Sequence, residues 1–353
     1  MIKVVLADDS PFLRQVLKDA LQNSNKIKIV GEAKNGKEAI ELVKTLKPDI
    51  LILDCEMPVM TGLEALRRIM DECPLPVFIF SSLASEGSSV TIKALEYGAV
   101  DFFLKPTGGA QKVQEIADDL VRKVEFIVLK SRFKNFKRTG STLTASPSAA
   151  PRRAVTKPIA LSRRPVDVIA MGSSTGGVQA AMKVVPRLPA HTKPIVWVQH
   201  MPPNFTKSFA ERLNGLSKMT VKEAENGDKV EQGTCYLAPG GYQMRLKRMG
   251  MGWQIHIGET EKISGHCPSC DVLFDSVSEL TSQNALGVIL TGMGEDGKKG
   301  LLKMHDKGAY VVGQNESSCV VYGMPRAAFA AGAVDVECDI EDIAEAIVKL
   351  GGA

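Results

Sequence analysis

Short apolar runs alternate with amphipathic stretches along most of the 353 residues. In the first third, VVLADD, IKIVGEA, DILILD, PVFIFSS and DFFLKP are β-rich and bounded by polar or turn residues. Between them, FLRQVLKDALQN and GKEAIELVKTLK repeat apolar residues at three-to-four spacing, which predicts helices. Strands alternating with helices predict a parallel, doubly wound α/β sheet over residues 1–122, with ligands at the carboxyl ends of its strands.

The alternation then stops. Residues 130–165 are rich in Lys, Arg, Ser, Thr, Ala and Pro, hold no acid and show no period. This composition predicts a solvated tether, and the linker is set at 123–164. A basic tract that binds nucleic acid or an acidic partner is the other reading. From Val166 the alternation resumes: VDVIAMG leads to GGVQAAMKVVPRL, PIVWVQHM to FTKSFAERLNGL, and LGVILTGM to DGKKGLLKMHDKG. Around residues 220–260, turn signals (ENGD, PGG, GMG) separate alternating runs and predict β-hairpins. Residues 165–353 therefore read as a second α/β domain, doubly wound and carrying an antiparallel insertion.

Composition adds little to this picture. An apolar content of 44% and a charged content of 24% are those of an ordinary globular protein, and a net charge of +4 identifies no polyanionic partner. No apolar run approaches the ~18 residues of a membrane span, and MIKVVLADDS lacks the basic and apolar regions of a secretory signal. The 7 cysteines sit mostly in apolar contexts, as expected of buried thiols in a reducing cytoplasm.

In the first domain, acids stand at strand ends: Asp8 and Asp9 after VVLA, and Asp54 after DILIL. In a parallel sheet these ends share one edge, where converging carboxylates repel unless a hard cation sits among them, and Mg²⁺ suits such a site. A fourth strand ends in Ser81 and Ser82 and a fifth in Lys105-Pro106; a lysine and a hydroxyl there would balance a phosphoryl group. Solvated strand-end acids are the plainer alternative. The full set, each member at its own strand end, resembles the receiver domain of two-component response regulators, a flavodoxin-like fold with a five-stranded parallel sheet. The resemblance implies that Asp54 accepts a phosphoryl group from a histidine kinase. It also implies that Asp8, Asp9, Asp54 and the backbone of Glu56 hold Mg²⁺, that Ser81 and Lys105 contact the phosphoryl, and that Lys105–Pro106 is a candidate cis peptide.

In the second domain, VIAMGSSTGG breaks from a strand into small polar residues. A Walker loop requires a lysine that is missing here, and Gly172, Gly176 and Gly177 are not spaced as a dinucleotide fingerprint. Gly172-Ser-Ser-Thr-Gly176 fits a nucleophile elbow between strand and helix, though a plain tight turn fits the same short motif. A serine needs a base, and the base an orienting acid. Of the 5 histidines, His200 alone ends a strand on the edge where the strand before Ser174 ends; His191, His256 and His305 read as exposed or structural, and His266 falls beside Cys267. After LGVILTGM come Glu295 and Asp296, and Asp296 is a candidate acid or a helix N-cap. The chain order Ser, His, Asp differs from that of α/β-hydrolases and points to another fold with the same roles.

GSSTGG, QHMPPNFTKSFAERL, LAPGG, HCPSCDVLFDSV, GVILTGMGEDG and QNESSCVVYGMPRAA together resemble the catalytic domain of the chemotaxis protein-glutamate methylesterases (CheB). The resemblance implies Ser174 as nucleophile, His200 as base and then acid, Asp296 as its orienting partner, and backbone N–H groups near Thr175 and Met293 as oxyanion donors. It implies a phosphorylation-activated enzyme that demethylates glutamate esters on methyl-accepting chemoreceptors and deamidates receptor glutamines. The esterase would need no cofactor, would bind no nucleic acid and would not insert into the membrane; a receiver covering the esterase face would restrain it until phosphorylated. Two departures stand out. Ser173 occupies a position where the family usually has alanine, and Cys267-Pro-Ser-Cys270 reads as a pair of incidental thiols rather than a redox or zinc motif, since no second pair is spaced for zinc. Rival readings are a response regulator with a non-catalytic, partner-binding output domain and a DNA-binding regulator, for which no helix-turn-helix pattern follows residue 122.

Overall fold

The computed structural model describes residues 1–22, 24–81, 85–105, 116–129 and 166–351. The chain divides into two compact units, Met1–Ala150 and Pro151–Ala353. Among the described residues no helix is long and apolar enough to cross a membrane.

In the first unit, β1 (Ile2–Ala7), α1 (Pro11–Gln22), β2 (Ile27–Ala33), α2 (Gly36–Leu46), β3 (Ile50–Asp54), α3 (Gly62–Glu72), β4 (Val77–Ser81), α4 (Ser85–Glu96) and β5 (Asp101–Leu104) follow in turn. A further helix, α5, covers residues 116–129. The strands pair in the order β2-β1-β3-β4-β5, every pair parallel. ILILD and VFIFS are buried along their whole length, which is why their sequences are continuous apolar runs rather than alternating ones. Asn35 caps α2 by accepting from Glu38 N–H, and Thr61 with Glu64 forms a capping box on α3. The boundary expected at residue 122 falls inside α5. Val124, Ile127 and Val128 are buried, so the helix continues through residue 129 before the basic stretch. Residues 130–165, Ser82 and Pro106, and with Pro106 the expected cis bond, lie outside the described residues.

In the second unit come β6 (Val168–Ser173), α6 (Gly177–Val184), β7 (Ile195–Gln199), α7 (Phe205–Asn214), β8 (Thr220–Glu223), β9 (Thr234–Leu237), β10 (Met244–Met249), β11 (Gly252–Ile257) and α8 (Cys270–Thr281). They are followed by β12 (Ala285–Ile289), α9 (Lys298–Asp306), β13 (Tyr310–Gln314), α10 (Met324–Ala330), β14 (Val336–Cys338) and α11 (Ile340–Gly351). Seven strands form one sheet in the order β14-β13-β12-β6-β7-β9-β8, with every pairing parallel. The chain leaves β6 toward β7 on one side and returns as β12 on the other, so a topological switch point opens at the carboxyl end of β6. Trp197, Phe205, Phe209 and Phe274 are fully buried around the sheet, each contributing about 1.5–3 kcal/mol by leaving water.

The hairpins expected over 220–260 are only half right. β10 and β11 form an antiparallel hairpin, but β8 and β9 are parallel neighbours at the sheet edge. The ENGD turn reverses the chain onto β11 instead of onto β8: Gly227 N–H donates to Ile255 O, Ile255 N–H to Asp228 O, and Val230 N–H to Trp253 O. Turn residues mark a reversal without naming the strand it pairs with.

Candidate active site and phosphoacceptor cluster

In the first unit the switch point lies between β1 and β3. Asp8 and Asp9 leave β1 and Asp54 ends β3, and a carboxylate oxygen from each lies within 4.8 Å of the others. Asp8 and Asp54 are each 2% exposed, while Asp9 is exposed. Lys105, the residue after β5, donates from Nζ to Asp54 Oδ2 at 2.6 Å and lies 3.2 Å from Asp8 Oδ2. Asp54 Oδ1 accepts from Glu56 N–H at 3.2 Å and Asp8 Oδ1 from Ser10 N–H at 2.8 Å. Burial pushes the Asp54 pKa up to about 6, against the hydrogen bond and charge of Lys105, and the charge of Asp8 adds to the rise. Ser81 ends the neighbouring β4; its hydroxyl is buried and accepts from Thr91 Oγ1 at 2.6 Å, and Lys105 N–H donates to Ser81 O.

One ammonium cannot balance three carboxylates, and buried Asp8 Oδ2 receives no hydrogen bond. An all-oxygen set whose buried Asp8 Oδ2 is met only by the shared Lys105 ammonium fits a hard divalent cation such as Mg²⁺. The residues expected at this site, Asp8, Asp9, Asp54, Glu56, Ser81 and Lys105, all lie at or just beyond the carboxyl ends of neighbouring strands.

In the second unit the local chain around Ser174 is set by three glycines. A Cβ on Gly176, which has φ +78°, would lie 2.5 Å from Val320 Cβ. A Cβ on Gly177 would lie 2.0 Å from Gln199 Oε1, and one on Gly292 would lie 2.9 Å from Ser174 Cβ. The turn is therefore tight on both sides of the serine, and only glycine leaves room for what packs against it. Ser174 N–H donates to Thr291 O at 3.0 Å, and Gly177 N–H to Ser174 O at 2.7 Å, which starts α6.

His200 follows β7, and its N–H donates to Ser173 O at 3.1 Å, extending the β6–β7 ladder by one bond. Ser174 and His200 thus sit just beyond adjacent strand ends. Asp296 lies between β12 and α9, 3% exposed, with Oδ2 2.7 Å from His200 Nε2. His200 Nδ1 is buried and without a partner. Asp296 also accepts from Ser269 Oγ at 2.8 Å, Cys270 N–H at 2.7 Å and Asp271 N–H at 3.1 Å, so it binds the amino end of α8. It does not cap α9, the other reading of its Asp-Gly sequence; Gly297 takes that position. Burial by itself raises the Asp296 pKa, but the bond and charge of His200, with the Ser269 hydroxyl and Cys270 N–H, bring it well below the usual carboxylate range. The positive end of the α8 dipole acts in the same direction.

Thr175 is buried, with its carbonyl held by Thr291 Oγ1 at 2.9 Å; Met293 is half-buried beside Gly292. Glu295 is exposed and pairs with Lys298 at 2.5 Å. His305 pairs with Asp335 at 3.4 Å, and His191 is exposed, as expected.

Several contacts had no signal in the sequence. The His266 ring stacks on His200, with centroids 3.8 Å apart and planes 9° from parallel. Cys270, read as incidental, places Sγ 3.8 Å from His200 Nε2, and burial pushes its thiol well above the ordinary range. His200, Cys270 and Asp296 each offer an atom within 4.8 Å of the others. All 7 cysteines are free. Cys267 and Cys270 stand on either side of the α8 start, and their spacing alone could not show which would meet the histidine.

Both units match known protein families. Residues 169–347 match the CheB methylesterase family and residues 4–117 the response regulator receiver domain. A protein-glutamate methylesterase/protein-glutamine glutaminase of Halalkalibacterium halodurans is 41% identical over 99% of this chain and 98% of that protein. One of the same name from Agrobacterium fabrum is 43% identical over 99% and 97%. The crystal structure of the Thermotoga maritima CheB methylesterase catalytic domain aligns at a TM-score of 0.51 and 39% identity, covering 52% of this chain and 98% of that one. With a receiver domain leading a methylesterase domain and full-length relatives above 40% identity, the chain belongs to the CheB methylesterase family.

Proposed function

We propose that this protein is a phosphorylation-activated serine hydrolase that removes methyl groups from glutamate γ-esters on chemoreceptors, releasing methanol, and deamidates particular receptor glutamines. The observation that carries the mechanism is the 2.7 Å His200–Asp296 pair, whose remaining ring nitrogen is buried and unbonded, on the strand end next to the one that leads into Ser174.

The imidazole meets its acid through Nε2, so the base toward the serine is Nδ1. Nδ1 takes the Ser174 hydroxyl proton as Oγ bonds to the ester carbonyl carbon. The carbonyl π pair moves onto oxygen, and the N–H groups of Thr175 and Met293 receive that charge; one such donor contributes roughly 3–4 kcal/mol to the barrier reduction. The C–OCH₃ bond then breaks and the leaving oxygen takes the proton from Nδ1, giving methanol. Water attacks the acyl-serine, returns its proton through the same nitrogen, and leaves glutamate with the Ser174 hydroxyl restored. An amide follows the same course and releases ammonia. Asp296, ionised by its surroundings, holds the ring and stabilises the imidazolium. The hydrolase requires no cofactor in this scheme.

In the receiver, a histidine kinase or small phosphodonor transfers a phosphoryl group to Asp54. Mg²⁺ bound by Asp8, Asp9, Asp54 and the Glu56 backbone would supply charge neutralisation for that transfer. Lys105 and Ser81 contact the phosphoryl group, and its charge favours the active arrangement of the protein. The domains are assigned as receiver, basic linker and hydrolase, with the linker beginning after α5.

Methanol release from methylated receptor membranes, with and without phosphodonor, tests the reading. Wild-type protein should release methanol faster with phosphodonor, and Ser174→Ala should release none. Release by Ser174→Ala at the wild-type rate would rule out the serine mechanism, and no release by wild type would favour a non-catalytic output domain.

A further inference from the structure

Ser173 precedes the nucleophile, and its side chain is fully buried. Its Oγ accepts from Trp197 Nε1 at 2.9 Å and meets Gln199 Oε1 at 2.6 Å. An indole N–H can only donate, so the hydroxyl accepts from it and directs its own proton to the amide oxygen. Two main-chain carbonyls, which can only accept, set which way round the Gln199 amide lies. Its Nε2 then faces main-chain oxygens, 2.9 Å from Ser174 O and 3.2 Å from His200 O. The two protons of one amide thus reach the carbonyls of the two residues that carry the nucleophile and its base. Gly177 keeps the place open, since a Cβ there would lie 2.0 Å from Gln199 Oε1.

We infer that Ser173 and Gln199 are positioning residues, a hydroxyl–amide clamp that holds Ser174 and His200 in register across the β6–β7 strand ends. The inference rests on the hydrolase reading above and adds to it. The clamp adds a side-chain tie across these strand ends to the ladder bond from His200 N–H to Ser173 O. Chain running freely past that bond would let the hydroxyl and imidazole shift independently, and a misplacement of about 1 Å costs on the order of 100-fold in rate. The two carbonyls on one side of the amide and the donating Ser173 hydroxyl on the other keep its oxygen turned away from the carbonyls.

The test uses the full-length protein, with methanol release and the rate of Ser174 labelling by a fluorophosphonate reagent. Gln199→Glu preserves shape, but its ionised carboxylate would face two carbonyl oxygens, whereas the protonated form can donate to one of them. We expect kcat to fall on the order of 100-fold near pH 8 with KM little changed. The variant-to-wild-type ratio should climb as pH is lowered toward 6, because burial raises the pH at which the new carboxyl protonates. Ser173→Ala frees the amide without adding bulk and should lower kcat several-fold at unchanged KM. If wild type is labelled at Ser174 while both variants match its rate and pH profile, the clamp is refuted and the hydrolase reading stands. If wild type is neither labelled nor active, the hydrolase reading fails and takes the clamp with it. If Gln199→Glu loses thermal stability, Ser173→Ala decides: slower turnover at constant KM supports the clamp, and wild-type kinetics overturn it.

Discussion

His200 bonds Asp296 through Nε2 at 2.7 Å, and the same carboxylate accepts two backbone N–H groups at the head of α8 and the Ser269 hydroxyl. The carboxylate that faces the imidazole is therefore also held from the helix side. Asp296→Asn should keep the fold and lower kcat for methanol release by about 10³–10⁴-fold with little change in KM, since the loss falls on the transition state. Loss in KM alone would contradict an orienting role.

The same carboxylate predicts an acid limb of stability. Its pKa in the folded protein lies well below the unfolded value of roughly 3.9, so the folded state holds fewer protons on it. The stabilisation is complete above about pH 4 and is lost as pH falls toward the folded value. The melting-temperature advantage of wild type over Asp296→Asn should hold at pH 6 and shrink steadily below pH 4. A constant gap down to pH 2 would contradict the depressed pKa.

In the receiver, acetyl phosphate with Mg²⁺ should label the wild type, and chelation of Mg²⁺ should stop it. Asp54→Asn should not be labelled and should show no gain in methanol release with phosphodonor. Labelling of Asp54→Asn equal to wild type would reject Asp54 as acceptor.

Thiol reactivity checks the burial around the C-x-x-C. Cys73 and Cys267 are half-buried and the other five cysteines are buried, with burial pushing Cys55 and Cys235 up to about 12 and Cys338 to about 11. Titration of native protein with a disulfide reagent should find two prompt thiols, and in denaturant all 7. Prompt reaction of Cys270, located by peptide mapping, would show that the structure is more open beside His200 than described.

What the sequence showed and what it hid divide along physical lines. The strand-end placement of Asp54, Ser174 and His200 was legible because a parallel sheet delivers its strand ends to one edge, and an apolar run ending in a polar residue marks such an end. Ser81 and Lys105 were legible for the same reason. The parallel pairing of β8 with β9 was hidden, because pairing depends on partners that turn residues do not name. The stack of His266 on His200 and the grip of Ser269 on Asp296 were hidden as well, since both join segments brought together only by the packing of α8. The reach of α5 past residue 122 was obscured by the basic residues that begin within it: Lys123 pairs with Asp101 at 2.9 Å, so a charge read as solvated linker belongs to the domain.

Asp296 fastens three separate stretches of polypeptide at once: the turn beyond β12, the end of β7 and the head of α8. On the proposed mechanism, loosening any one of them would draw the carboxylate away from the imidazole. A copy loosened there would fall silent before it lost its shape.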